Sequence, residues 1–283
     1  VRPLFAVQLV RTGAVPPDEL YGEQRAYLDA FWKNAVLEID GDADLTCAVN
    51  YNLYQLLQSA GSDRYSGIAS KRLSGEGYEG HYFWDTEMYI LPFFTLTNPD
   101  IAKSLLSYRY ATLGKAKENA RRLGHKQGAL FPWRTISGRE CSGYFPAGTA
   151  QYHINGDIAY AAVSYWLATG DTAYLESEGL ALIVETARLW MDLGCWYRGS
   201  FRLNDVTGPD EYTCMVDNNY YTNVCAQFNL RWAVKAVKLL QEAGLGDAAE
   251  RLCVTDEELA CFAEAAEGMY LPYDSESGII PQD

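Results

Sequence analysis

Residues 218–243, Asn-Asn-Tyr-Tyr-Thr-Asn-Val-Cys-Ala-Gln-Phe-Asn-Leu-Arg-Trp-Ala-Val-Lys-Ala-Val-Lys-Leu-Leu-Gln-Glu-Ala, decide the fold class. Val224, Phe228, Trp232, Val237 and Leu240 form an apolar stripe at helical spacing, the pattern of a helix that buries one face. The same period recurs over 18–34, 43–60, 83–96, 99–109, 112–123, 155–169, 172–193 and 246–269, so helical hairpins follow one another along the chain. Gly61-Ser62-Asp63, Thr97-Asn98-Pro99-Asp100, Thr169-Gly170-Asp171 and Ala243-Gly244 read as a helix stop followed by a cap. Strands do not alternate with helices, which excludes a doubly wound sheet and predicts an all-α protein.

Composition narrows the possible partners. The 283 residues are 48% apolar or aromatic and 21% charged, enough for one large domain or two small ones. A net charge of -14 repels phosphate backbones and anionic lipid surfaces, so neither nucleic acid nor membrane is expected as a partner. The basic cluster Lys115, Lys117, Arg121, Arg122 and Lys126 reads as a solvated helix face. No apolar run reaches the roughly 18 to 20 residues of a membrane helix. Cysteines at 47, 141, 195, 214, 225, 253 and 261 show no C-x-x-C pair, and their odd count fits reduced thiols in a cytoplasmic chain. His81, His125 and His153 lack metal-ligand spacing, so no metal is expected.

Two intervals, 69–92 and 124–157, break the helical pattern and concentrate unusual residues. Gly75-Glu76-Gly77-Tyr78-Glu79-Gly80 matches a dinucleotide-binding fingerprint by letter, yet no strand precedes it and no strand-helix-strand unit follows. The better reading is a loop that delivers Trp84 and Asp85 to a pocket. There the indole would be a platform for a sugar face and the carboxylate a bidentate acceptor for vicinal hydroxyls. A core tryptophan and a helix-capping aspartate are the plainer alternative for these residue types.

A third segment, Thr-Gly-Pro-Asp-Glu-Tyr-Thr (207–213), places Glu211 in a turn that Gly208 and Pro209 constrain. A free glutamate titrates at roughly 4.3. Crowding by Tyr212, Tyr220 and Tyr221 would raise that value and make a general acid. The alternative has Asp210 as an N-cap or Asx-turn residue and Glu211 as a first-turn carboxylate.

Gly-His-Tyr-Phe-Trp-Asp-Thr-Glu (80–87), Ala-Leu-Phe-Pro-Trp-Arg-Thr (129–135), His-Ile-Asn-Gly-Asp-Ile-Ala-Tyr (153–160) and Thr-Gly-Pro-Asp-Glu-Tyr (207–212) occur in the order seen in glycoside hydrolase family 65. From about residue 18 onward the chain resembles that family's disaccharide phosphorylases, which act on kojibiose, nigerose, trehalose or maltose. The resemblance implies an (α/α)6 barrel over residues 41–283, preceded by an N-terminal segment and linker helix over 1–40. It implies Glu211 as the catalytic acid, Trp84 and Asp85 holding the donor glucose, and Trp133 as another wall of that subsite. Glu140, Asn155, Asp157, Tyr212 and Asn219 fall in the matching motifs as sugar-contact candidates, although Glu140, Asn155, Asp157 and Asn219 would serve equally as loop braces.

On this resemblance phosphate is the co-substrate and no cofactor is needed. The reaction is an inverting phosphorolysis of an α-glucosyl disaccharide to β-glucose 1-phosphate. A homodimer is among the states it allows. Two further readings stay open: an inverting hydrolase of the acid trehalase type, and a non-catalytic helical toroid that binds sugar or a partner protein. Two departures stand out. Thr213 occupies a position where relatives commonly have histidine. Relatives also carry an N-terminal β-sandwich and continue beyond the equivalent of Leu271-Pro272-Tyr273, into a Lys-Gln pair and phosphate-binding loops. The chain is therefore expected to be a fragment whose barrel stops short at the C-terminus, and to be weakly active alone.

Overall fold

A computed structural model describes residues 15–73 and 75–283. The chain falls into two compact units divided between Gln55 and Leu56.

The first unit holds helix α1 (Pro17–Ala35) and most of helix α2 (Ala43–Ser59). Pro17 starts α1 where a missing N–H costs nothing, with Asp18 and Glu19 in the first turn and Lys33 in the last, each matched to the helix dipole. Between the helices, Asn50 clamps Leu37, accepting from its N–H at 3.0 Å and donating to its carbonyl at 2.7 Å.

The second unit is built on α3 (Leu91–Thr97), α4 (Pro99–Arg122), α5 (His153–Thr169), α6 (Leu180–Leu193), α7 (Tyr220–Glu242), α8 (Asp247–Arg251) and α9 (Asp256–Glu267). Helix α5 is an inner helix: Ile154, Ile158, Ala161, Ala162 and Tyr165 are buried, and so are the polar His153, Asn155 and Asp157. A helix apolar around most of its circumference belongs inside the protein. It packs against α3, α4, α6 and α7, while α7 packs against α5, α6 and α9. Of the stripe read in 218–243, Val237 and Leu240 are buried, whereas Val224, Phe228 and Trp232 are half-buried; the fully buried face runs instead through Ala226, Leu230, Ala233, Val237 and Leu240. The all-α expectation holds.

Several boundaries differ. The expected pair 99–109 and 112–123 is one helix, because Leu105, Leu106, Arg109, Thr112, Ala116 and Ala120 bury a continuous face across the interruption. The expected helix 246–269 is two, broken at Cys253 with φ of 53° and restarted by Thr255, whose hydroxyl accepts from Glu258 N. Segment 172–193 enters α6 through a π-helical turn, Leu175–Gly179, and Thr86–Ile90 forms another before α3. A short hairpin of β1 (Cys195–Tyr197) and β2 (Ser200–Arg202) was not read from the sequence. Its loop, Arg198-Gly199, has φ of 51° and 80°, the two positive values a tight I′ turn requires.

The two irregular intervals are tied together. Tyr82 N donates to Thr135 O at 2.7 Å and Thr135 N returns a bond to Tyr82 O. Residues 129–131 run between helices: Ala129 N donates to Glu185 O, Leu130 N to Ala116 O, and Phe131 N to the Asn155 side chain. Gly128 permits this, since its φ is 78° and an added Cβ would sit 2.4 Å from Leu189 N on α6. Phe83, Phe131, Trp133, Ile154, Ile158 and Leu182 pack into one cluster beneath these loops.

Candidate active site

Trp84, Asp85, Trp133 and Glu211, which lie far apart in sequence, line one cleft of about 700 Å³. Ser70, Lys71, Tyr78, Phe83, Tyr144, Phe145 and Pro209 complete its walls.

Each wall is fixed from beneath. Behind Trp84, Glu87 and Arg109 form a buried bidentate pair, Nε to Oε1 and Nη2 to Oε2, both at 2.7 Å. Arg109 Nη2 also donates to Phe83 O, so the pair anchors the backbone just before Trp84. Burial opposes the guanidinium charge, but Glu87 outweighs it and raises the Arg109 pKa. The Trp84 ring stands edge-on to His153, with centroids 4.9 Å apart.

Trp133 is held at both ends. Glu140 accepts from the backbone N–H groups of Trp133 at 2.7 Å, Arg134 at 3.2 Å and Cys141 at 3.0 Å. Desolvation raises the Glu140 carboxyl against the lowering effect of those bonds. The Trp133 ring packs edge-on against Phe83 and Phe145. Its Nε1 donates to Glu211 Oε1 at 3.0 Å, and Gln151 Nε2 donates to the same oxygen at 2.8 Å. Among the described residues nothing donates to Glu211 Oε2.

The aromatic crowding expected around Glu211 is corrected. Asp210 forms an Asx turn, accepting from Tyr212 N at 3.2 Å, and the chain turns outward so that Tyr212 is 99% exposed. Tyr220 and Tyr221 open α7, and the Tyr221 hydroxyl donates to Asp157. Glu211 is itself exposed and meets an indole and an amide instead. Gly208 also acts differently from the sequence expectation. Its φ is not positive; instead an added Cβ would lie 2.6 Å from the Asn219 amide nitrogen.

Asp85 shares the cleft with Glu211. Desolvation, with a smaller push from the Glu211 charge, raises its carboxyl above the ordinary range despite a bond from its own backbone.

Glu140, Asn155, Asp157 and Asn219 stand behind the cleft surface. Asn155 is fully buried, accepting from Phe131 N and donating to Ala129 O. Asn219 caps α7, accepting from Thr222 N and from the Thr222 hydroxyl, both at 3.0 Å. Asp157 accepts from His153 and Tyr221 inside the core. Tyr212 is not among the residues lining the cleft.

The sequence reading passed over Gln151, Lys71, Tyr78, Tyr144 and Phe145. Gln151 sits two residues before His153, just ahead of the motif at 153–160, and that adjacency was its available signal. Among the described residues, no three His, Cys, Asp or Glu side chains gather as a metal site, and no helix is long and apolar enough to cross a membrane.

Comparison with known proteins identifies the family and the fold. Residues 50–283 match the central catalytic domain of glycosyl hydrolase family 65. An alpha,alpha-trehalose phosphorylase of Geobacillus stearothermophilus is 59% identical over 269 residues, covering 94% of this chain and 35% of that protein. A kojibiose phosphorylase of Escherichia coli K12 is 36% identical over 286 residues, covering 94% of this chain and 36% of that protein. This chain thus spans about a third of the length of these relatives. A solved structure from the human microbiome, provisionally named a kojibiose phosphorylase, superposes with a TM-score of 0.87 at 28% identity, covering 99% of this chain and 38% of that one. The helices are therefore those of an (α/α)6 barrel type. With three separated motifs lining one cleft, the fourth packed behind it, and the family's domain matching residues 50–283, the chain belongs to glycosyl hydrolase family 65.

Proposed function

We propose that this chain provides the acid half of an inverting phosphorolysis of α,α-trehalose. The observation that carries the reading is Glu211, whose Oε1 is held by two neutral donors in an aromatic cleft while Oε2 has no donor among the described residues. Neutral donors orient a carboxyl group without neutralising it, and the free oxygen can carry a proton.

Trp84 and Trp133 would present ring faces to the donor glucose, and Asp85 would accept its hydroxyls. Glu211 Oε2–H then gives its proton to the glycosidic oxygen as the C1–O bond breaks. A phosphate oxygen forms the new bond to C1 from the opposite face, and the proton released by phosphate restores the acid. The products are β-glucose 1-phosphate and free glucose. Glu140, Asn155, Asp157 and Asn219 would act as braces of the cleft walls, and Tyr212 as a rim residue on the acceptor side.

Trehalose is favoured over kojibiose because identity to the trehalose phosphorylase is 59% against 36% to the kojibiose enzyme. Asp85 supplies one observation for a second reading, since a second carboxylate in the cleft is what an inverting hydrolase uses to activate water. Phosphate consumption separates the two. Incubated with phosphate and a panel of α-linked glucose disaccharides, the protein is expected to consume phosphate with trehalose above all others. Glucose release without phosphate consumption would move the assignment to hydrolysis.

A further inference from the structure

Behind Glu211 lies a row of buried polar groups whose hydrogen-bond directions are determined by one donor-only partner. An indole N–H can only donate, so Glu211 Oε1 must accept from Trp133 whatever the charge of Glu211. With no proton on Oε1, whether Glu211 is ionised or carries its proton on Oε2, the Gln151 amide that meets the same oxygen at 2.8 Å presents its NH2 group. Its carbonyl then faces His153 Nε2 at 3.2 Å and needs a proton from it. On the other side of the ring, Asp157 Oδ2 accepts from His153 Nδ1 at 2.8 Å, so with Nε2–H as well the ring carries a proton on each nitrogen and pairs with Asp157 as an imidazolium. Asp157 Oδ1 accepts from the Tyr221 hydroxyl at 2.7 Å and lies 3.8 Å from Cys225 Sγ.

Gln151 is 1% exposed and His153 and Asp157 are 0% exposed, so water cannot substitute if one member turns over. Reversing the Gln151 amide would set two acceptors against each other at Glu211, a costly arrangement in a buried network. His153 and Asp157 are one helical turn apart at the start of α5, which gives the chain a rigid base.

We infer that Gln151, His153 and Asp157 form a directionally ordered chain, with His153 protonated at Nε2, which positions Glu211 so that Oε2 faces the substrate. The role in turnover rests on the phosphorolysis reading above; the proton order does not. Gln151 and His153 are positioning residues, acting on the reaction only through Glu211.

The test has a spectroscopic and a kinetic arm. Long-range proton–nitrogen correlation on the nitrogen-labelled protein reads each ring nitrogen of its three histidines, assigned by replacing His81 and His125 in turn. His153 is expected to show a protonated, pyrrole-type Nε2 whose proton signal shifts in Gln151→Met. An unprotonated Nε2 would overturn the inference, because Gln151 would then be reversed. In the kinetic arm, His153→Gln keeps an N–H near the Nε2 position, whereas His153→Asn reaches only the Nδ1 position.

With folding of both variants checked by near-ultraviolet circular dichroism, His153→Gln should retain kcat within about tenfold. His153→Asn should lose about a hundredfold with little change in KM, the scale of one hydrogen bond to a charged group. Equal losses in the two variants would remove the positioning role. A wild-type protein that consumes no phosphate would sink the phosphorolysis reading, while the nitrogen spectrum would still decide the proton order.

Discussion

Trp133 Nε1 and Glu211 Oε1 meet at 3.0 Å across 78 positions of sequence, and this bond joins the Phe-Pro-Trp loop to the Gly-Pro-Asp-Glu turn. Trp133→Phe keeps an aromatic ring at the position that packs against Phe83 and Phe145 and removes the donor together with half of the indole. Loss of a hydrogen bond to a charged group costs about 1.5–3 kcal/mol, so kcat should fall about 10- to 100-fold. Steady-state kinetics would check this, with KM for the disaccharide moving much less than kcat.

Asp85 carries the site's pH signature. Its folded-state pKa is raised, by desolvation first and by the Glu211 charge second. Protonated Asp85 therefore contributes stability that is full below the unfolded value of about 3.9 and lost as pH rises through the folded pKa. Asp85→Asn should be more stable than wild type at neutral pH, the advantage closing towards pH 4, with activity sacrificed. Glu211→Gln should move the Asp85 titration downward without bringing it back to the ordinary value, since desolvation remains. Carbon NMR of labelled carboxyl groups and urea unfolding across pH measure both effects.

The Glu87–Arg109 pair is fully enclosed, each side chain 2% exposed. Glu87→Gln leaves the guanidinium without its counter-charge and should destabilise the protein by about 3–5 kcal/mol. Replacing both partners together with Glu87→Leu and Arg109→Met should recover much of that loss. Chemical denaturation of the single and double variants gives the comparison.

Gly208→Ala would press a methyl group against the Asn219 amide, which caps α7. Disturbing an N-cap costs about 0.5–2 kcal/mol. Because Pro209 and Glu211 follow directly, activity should fall further than stability does. Thermal unfolding and kcat measured on one preparation would show the difference.

The helical period of 218–243 and the motifs at 80–87, 129–135 and 207–212 were legible in the sequence because local spacing and residue type carry that information. Hairpin β1–β2 was not, since three-residue strands leave no period to read. The uninterrupted α4 was missed because tertiary burial of Leu106, Arg109, Thr112 and Ala116 overrides the local gap. At the site, Glu211, Trp84, Asp85 and Trp133 could be named, but not what surrounds Glu211. Its true neighbours, Trp133 and Gln151, lie 78 and 60 positions away, whereas the adjacent Tyr212 points to solvent. Sequence proximity stood in for spatial proximity and was misleading there.

The most direct test of the account is proton and phosphorus NMR of the first turnovers with α,α-trehalose and phosphate, comparing wild type with Glu211→Gln. The account predicts a β-configured glucose 1-phosphate in step with free glucose from the wild type, and neither from the variant. An α-configured sugar phosphate, or undiminished turnover by Glu211→Gln, would contradict it.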